Sequence, residues 1–171
     1  MTNLLAFFCG TYLVAIAETV LAQWLDIRRA TPSLLALWAI VWVASRKSPP
    51  RRASQMGIAA AGFIGLVFDL NSGGRVGVGV LAFAAVAFVI EQNGPRFRRL
   101  DPLLRTLATA PLVAVAMLLV LLGNLIAGES LPPLPLALAN VLMIAVYTAC
   151  VSLPIWMAAA WLIEPARGKK A

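Results

Sequence analysis

The 171-residue chain has no histidine, seven acidic residues and two cysteines. The missing imidazole removes the commonest general base, the Ser-His and Cys-His pairs and the usual transition-metal ligand. Cys9 and Cys150 are too few for a disulfide framework. Both lie in apolar runs, where a free thiol packs as a small hydrophobe. Charge is scarce altogether, at 12% of residues against about 25% in an ordinary soluble domain. No Gly-rich phosphate loop, zinc-ligand spacing or nucleophile elbow is present. An intramembrane hydrolase or acyltransferase would need paired acids, or a His beside one. The acids within the apolar runs are Glu18 and Asp69, in different runs. The sequence therefore reads as a non-enzyme with no cofactor or metal site.

What the chain does have is hydrophobicity: 61% apolar residues, against about 45–50% in soluble domains. The mean hydropathy is +0.89. Six apolar runs cover residues 4–24, 31–45, 53–70, 76–90, 107–127 and 137–163. They are rich in Leu and Ala, longer than the roughly 10-residue strands of a membrane barrel, and lack its alternation. The expected fold is an all-α membrane protein, a compact bundle of six short transmembrane helices forming one integral membrane domain over residues 1–171. The first run lacks the basic start and small-residue cleavage site of a signal peptide, so it reads as an uncleaved span. Thr31-Pro32 and Asp101-Pro102 read as helix N-caps, each followed by proline at the first helical position. Ser48-Pro49 suggests an earlier start for the third helix. Pro111 and Pro154 are expected to kink the fifth and sixth helices. Pro132, Pro133 and Pro135 are expected to stiffen the connection between those two. The charge-free middle windows, residues 30–45, 53–68 and 76–90, reach only about 24 Å against about 30 Å of hydrocarbon. Snorkelling arginines would complete these spans.

The 14 Lys and Arg exceed the acids by seven. Sorted by connection, with the N-terminus inside, one side receives none, four, four and three of them; the other receives two, one and none. That asymmetry predicts both termini in the cytoplasm. The basicity is thus an orientation and lipid signal, and no stretch between spans is long enough for a nucleic-acid-binding module. The segment PRFRRLDPLLR, residues 95–105, interleaves Phe97, Leu100, Leu103 and Leu104 with arginines. It is expected on the cytoplasmic membrane surface.

Glu18 lies about one and a half turns before Trp24. It reads either as a helix-positioning carboxylate paired with Arg28 or Arg75, or as a proton or ligand site. Asp69 ends the third run, before the tight-turn string Asn71-Ser72-Gly73-Gly74. Counting back by four gives Gly65, Ala61 and Gly57, one smooth helix face ending at the acid. Gly77 and Gly79 open the next run, so the third and fourth helices should form a close hairpin. Asp69 is expected to accept hydrogen bonds from the amides of the turn or from Ser72. Trp24, Trp42 and Trp161 read as interface residues. Asn124, Asn140, Tyr147, Thr148 and Ser152 read as interhelical hydrogen-bonding groups worth about 1 kcal/mol each.

Gly57, Gly62, Gly65, Asp69-Leu70, Ser72-Gly73 and Gly77 form a pattern of glycines leading to Asp-Leu and a glycine-rich turn. With the chain length, the short spans and Pro32 opening the second span, it resembles the rod shape-determining protein MreD family. Where that family often carries Asp or Asn after the proline, this chain has Ser33. The resemblance implies a non-enzymatic inner-membrane component of the bacterial cell elongation complex, helping control cell shape and lateral peptidoglycan synthesis. Implied partners are MreC, a single-span protein with a periplasmic domain, then MreB filaments, the RodA glycosyltransferase and its partner transpeptidase. No small-molecule substrate is implied. Helix packing or partner binding would fall to Gly57, Ala61, Gly62, Gly65, Asp69, Ser72, Gly73, Gly74 and Gly77. At the level of fold the family is similar to the substrate subunits of energy-coupling-factor vitamin transporters. A substrate-capture subunit is therefore the competing expectation. It would use Glu18 and Asp69 in a pocket, and Ala6 and Gly10 as a small-residue pair for a coupling subunit.

Overall fold

A backbone in lipid has no water to bond, so an apolar run satisfies its amides internally as helix. The computed structural model describes residues 2–24, 32–45, 52–73, 75–93, 96–97, 100–129 and 132–163. Six helices stand in chain order among them: α1 Thr2–Trp24, α2 Leu34–Ser45, α3 Arg52–Ser72, α4 Val78–Gln92, α5 Pro102–Ile126 and α6 Leu134–Ile163. Each apolar run holds one. Asp101 is the N-cap of α5 in extended conformation with Pro102 at the first position, as its dipeptide predicts. Thr31-Pro32 is displaced: α2 starts after Ser33, whose carbonyl accepts the Leu37 amide. Pro135 lies within the first turn of α6 and not in the connection before it, because Pro133 supplies the carbonyl that opens the helix. Proline is tolerated there, where an amide would lack a helical partner. Pro111 and Pro154 are both interior, and α5 and α6 stay helical on either side of them. Ser48-Pro49 lies outside the described residues.

α2 touches all five other helices. Seven of its twelve residues are buried, as expected of a helix apolar on every side. α4 buries Gly79, Ala82, Phe83, Val86, Ala87 and Ile90, a stripe with helical period, against α2, α3 and α5. Where α2, α3, α4 and α5 meet, Ala36, Ala61, Ala87 and Ala116 surround a void of about 10 Å³. These four small side chains set how closely the inner helices approach.

α5 and α6 pair along their length at the side of this core. Pro102–Ile126 and Leu134–Met157 are long and apolar enough to cross a membrane. Only 22% and 33% of their apolar windows are buried. Leu122, Ile126, Leu142 and Val146 are exposed. A soluble protein would bury such surface, whereas lipid solvates it.

Among the described residues of the arginine-rich segment before α5, Phe97 departs furthest from the expected surface position, and Leu100 packs against the core beside it. Phe97 is buried, with its ring 6.1 Å from Trp156 of α6, while Leu103 and Leu104 stay exposed. Trp156 also receives Arg105 over its face at 5.6 Å and donates its indole N–H to Thr109. The pattern of alternating Arg and Leu disguised an aromatic anchor whose partner is 59 residues away.

Candidate functional site

The two acids within the helices perform the same physical task. A helix start leaves amides without intrahelical acceptors, and in an apolar core those amides must find side-chain oxygens. At the start of α4 the acceptor is Asp69, which is buried at the end of α3. Its Oδ2 accepts the Gly77 amide at 2.7 Å and its Oδ1 the Gly79 amide at 2.8 Å. Gly77 is the N-cap, with φ 112°, a conformation that favours glycine. Gly73, just past α3, also has positive φ and ends that helix in the manner common for glycine. Of the two donors expected, backbone amides and Ser72, the amides take the carboxylate, while Ser72 donates to the Asp69 backbone carbonyl at 3.3 Å. The Asp69 side chain is taken by amides two helix positions apart. Gly74 lies outside the described residues.

The small-residue face leads directly to this cap. A Cβ on Gly65 would collide with the Gly79 carbonyl and the Val80 amide, so the backbones of α3 and α4 touch there. A Cβ on Gly79 would in turn meet the Asp69 carboxylate and the Gly65 carbonyl. Gly57 faces the carboxylate of Glu91 near the end of α4, and Ala61 is fully buried. Gly62 is looser, with Val80 Cγ1 at 3.6 Å from a Cβ placed there. The stripe is thus the α4-facing side of α3, occupied from within the chain.

At the start of α2 the acceptor is Glu18 of α1. Its Oε2 accepts the Leu35 amide at 2.7 Å. Ser33 Oγ accepts the Ala36 amide at 3.3 Å, the capping role that Asp or Asn would also fill. Thr148, in the middle of α6, accepts the Ser33 amide at 3.0 Å. Three side chains from three parts of the chain therefore satisfy one buried helix start. The expected partner Arg75 is elsewhere, 4.0 Å from Glu129 across exposed surface. Arg28 lies outside the described residues. Replacing Glu18 with Ala strands the Leu35 amide and is expected to lower stability by about 1–3 kcal/mol. Glu18→Gln keeps a carbonyl acceptor and should lose less than half as much. Unfolding in mild detergent measures both, and equal losses would refute the capping role.

Two further polar ties were not singled out in the sequence. Trp38 of α2 donates to Thr11 of α1 at 3.1 Å, as Trp156 does to Thr109 across α6 and α5 at 3.3 Å. Each threonine hydroxyl donates in turn to a carbonyl four residues back, at 2.8 Å. The partners stand 27 and 47 residues apart on different helices, so no local sequence pattern marks either pair. Ser152 bonds within its own helix, to Ala149. Cys9 and Cys150 are free and exposed.

Among the described residues no three Cys, Asp or Glu side chains gather as a metal-binding group. Glu18 and Asp69 sit on different helices and bind different amides, so they do not converge on one pocket. The Trp38 ring covers Gly10, the described half of the small-residue pair on α1. The sequence profile of the rod shape-determining protein MreD family matches residues 1–157. The chain belongs to the MreD family. Membership associates it with rod shape determination, and gives the glycine–Asp69 pattern a structural meaning in this MreD chain: it builds the α3–α4 hairpin. Neither a curated relative nor a solved structure matches the chain.

Proposed function

We propose that this protein is a non-enzymatic, multi-pass component of the bacterial inner membrane that acts in the cell elongation complex. In this reading all six helices cross or enter the bilayer, both termini are cytoplasmic, and the α3–α4 turn faces the periplasm. The protein binds MreC there, and through it supports lateral peptidoglycan synthesis with MreB, RodA and the partner transpeptidase.

The observation that carries this reading is the commitment of Asp69 and Gly65 to the hairpin. A buried carboxylate holding two amides and a backbone contact between glycines fix the turn rigidly. Leu70 and Val76 flank that turn and are 67% and 63% exposed. Apolar side chains held on a rigid turn suit contact with a protein partner. Catalysis would need a reactive group free to meet substrate, whereas both intramembrane acids are engaged with backbone.

Affinity purification of the chain in mild detergent tests the reading. MreC and cell-wall synthases are expected in the eluate. Recovery of transporter ATPases in their place, with vitamin bound, would replace this function by substrate capture.

A further inference from the structure

The sides of the bundle differ in how much apolar height they offer. On α3 two exposed amide side chains, Gln55 and Asn71, bracket a stretch in which every exposed residue is apolar. On α4 the exposed Leu81, Ala85, Phe88 and Val89 end at exposed Gln92, and exposed Arg75 stands before the helix. At 1.5 Å per residue, Gln55 to Asn71 rises about 24 Å and Val78 to Gln92 about 21 Å. The two helices run antiparallel, with Gly57 against Glu91 and Gly65 against Gly79. Gln55 and Gln92 therefore mark one edge of a single apolar band, and Asn71 and Arg75 mark the other.

α5 and α6 offer more. Every exposed residue of α5 from Leu103 to Ile126 is apolar, a rise of about 35 Å. On α6 the exposed side chains from Leu134 to Met157 are apolar, or a thiol at Cys150, over a similar rise. Hydrocarbon is about 30 Å thick, so the long pair exceeds it and the hairpin falls short. Tilting the whole bundle lowers both heights and cannot supply what the hairpin lacks. Its edges do not reach outward either. Gln and Asn have no long apolar stem with which to snorkel, and Arg75 lies 4.0 Å from Glu129. A spanning helix of another protein is itself cut to full hydrocarbon height and would overhang both polar edges. Acyl chains can shorten to fit.

We propose that the α3–α4 hairpin holds a lipid shell thinner than the surrounding bilayer and selects phospholipids with short acyl chains there. This rests on the membrane-crossing placement of the helices proposed above. Mismatch of this kind sorts proteins among bilayers of different thickness, so the chain gathers where the membrane is thin or easily compressed.

Ala85 and Val115 are exposed near the middle of α4 and α5 and serve as probe positions. The full chain, as Ala85→Trp or Val115→Trp, is reconstituted in vesicles of dimyristoleoyl and dioleoyl phosphatidylcholine in equal fractions, with one or the other brominated at mid-chain. Emission of the added indole is the difference from wild type. In Ala85→Trp the brominated short lipid is expected to quench at least about two-fold more efficiently than the brominated long one. Val115→Trp should show no such preference. A chain that also carries Gln55→Leu and Gln92→Leu has a taller apolar face, and its Ala85→Trp form should lose most of the preference. Equal quenching of Ala85→Trp by the two lipids would overturn the proposal, as would the same short-chain preference at Val115→Trp or a preference that the two leucine substitutions leave unchanged. Quenching at Val115→Trp alone would overturn it too, because protein would then cover the hairpin. Quenching at neither position would reject the membrane placement itself, and the proposal with it.

Discussion

Asp69→Ala is expected to cost about 2–4 kcal/mol of stability, since two amides at a buried helix start lose their acceptors. The usual loss of a helix cap is about 1 kcal/mol, where water replaces the missing oxygen. Here Asp69 is 3% exposed and each carboxylate oxygen holds its own amide, Gly77 and Gly79. The Gly79 amide is buried and water cannot replace its acceptor, while the half-buried Gly77 amide is stranded only in part. Asp69→Asn separates the contributions. Its carbonyl oxygen still accepts one amide, but its NH2 group turns a donor toward the other. The expected loss therefore lies between wild type and Asp69→Ala. Denaturant or thermal unfolding in mild detergent measures the series. A Asp69→Ala chain within about 0.5 kcal/mol of wild type would show that the cap is not what holds α4.

Gly65→Leu is expected to be as damaging, by a different mechanism. A Cβ at Gly65 collides with the Gly79 carbonyl and the Val80 amide, and backbone has no rotamer to yield. The helices must separate, which breaks the Asp69–Gly79 bond only four residues along the face. Overpacking of a well-filled core costs about 1–3 kcal/mol, and loss of the cap adds to it. Gly65→Ala should already incur much of that cost. Gly62→Ala is the internal control. Its Cβ meets Val80 at ordinary contact distances, Cγ1 at 3.6 Å and the carbonyl oxygen at 4.0 Å, and alanine is the better helix former by about 1 kcal/mol. Gly62→Ala should match or exceed wild type in the same unfolding assay. If Gly62→Ala and Gly65→Ala behaved alike, the close approach of α3 and α4 would be refuted.

Six helices and the hairpin were legible because they depend on local information. Run lengths locate the helices, Asp101-Pro102 marks a start, and the four-residue spacing of Gly57, Ala61, Gly65 and Asp69 defines a face. A glycine-rich turn then leaves that face one near neighbour. What escaped the sequence depends on groups distant along the chain. Ser33 caps α2, where Glu18 and Thr148 also meet the helix start, and the Thr148 contact spans 115 residues. For Glu18 the sequence leaves a helix-positioning role and a proton or ligand site open; its actual partner is a backbone amide at a helix start, which side-chain patterns do not display. Phe97 looked like an interface residue because its neighbours are arginines; Trp156, which buries it, is on another helix.

On the proposed function, the Asp69-capped α3–α4 hairpin gives this MreD-family chain its partner-binding form. The most direct measurement is rescue of a rod-shaped bacterium lacking its own MreD, with MreC co-purification scored at matched membrane levels. Wild type and Gly62→Ala are expected to restore rods and recover MreC, while Asp69→Ala and Gly65→Leu lose both. Rod shape and MreC recovery retained by Asp69→Ala and Gly65→Leu would contradict the account.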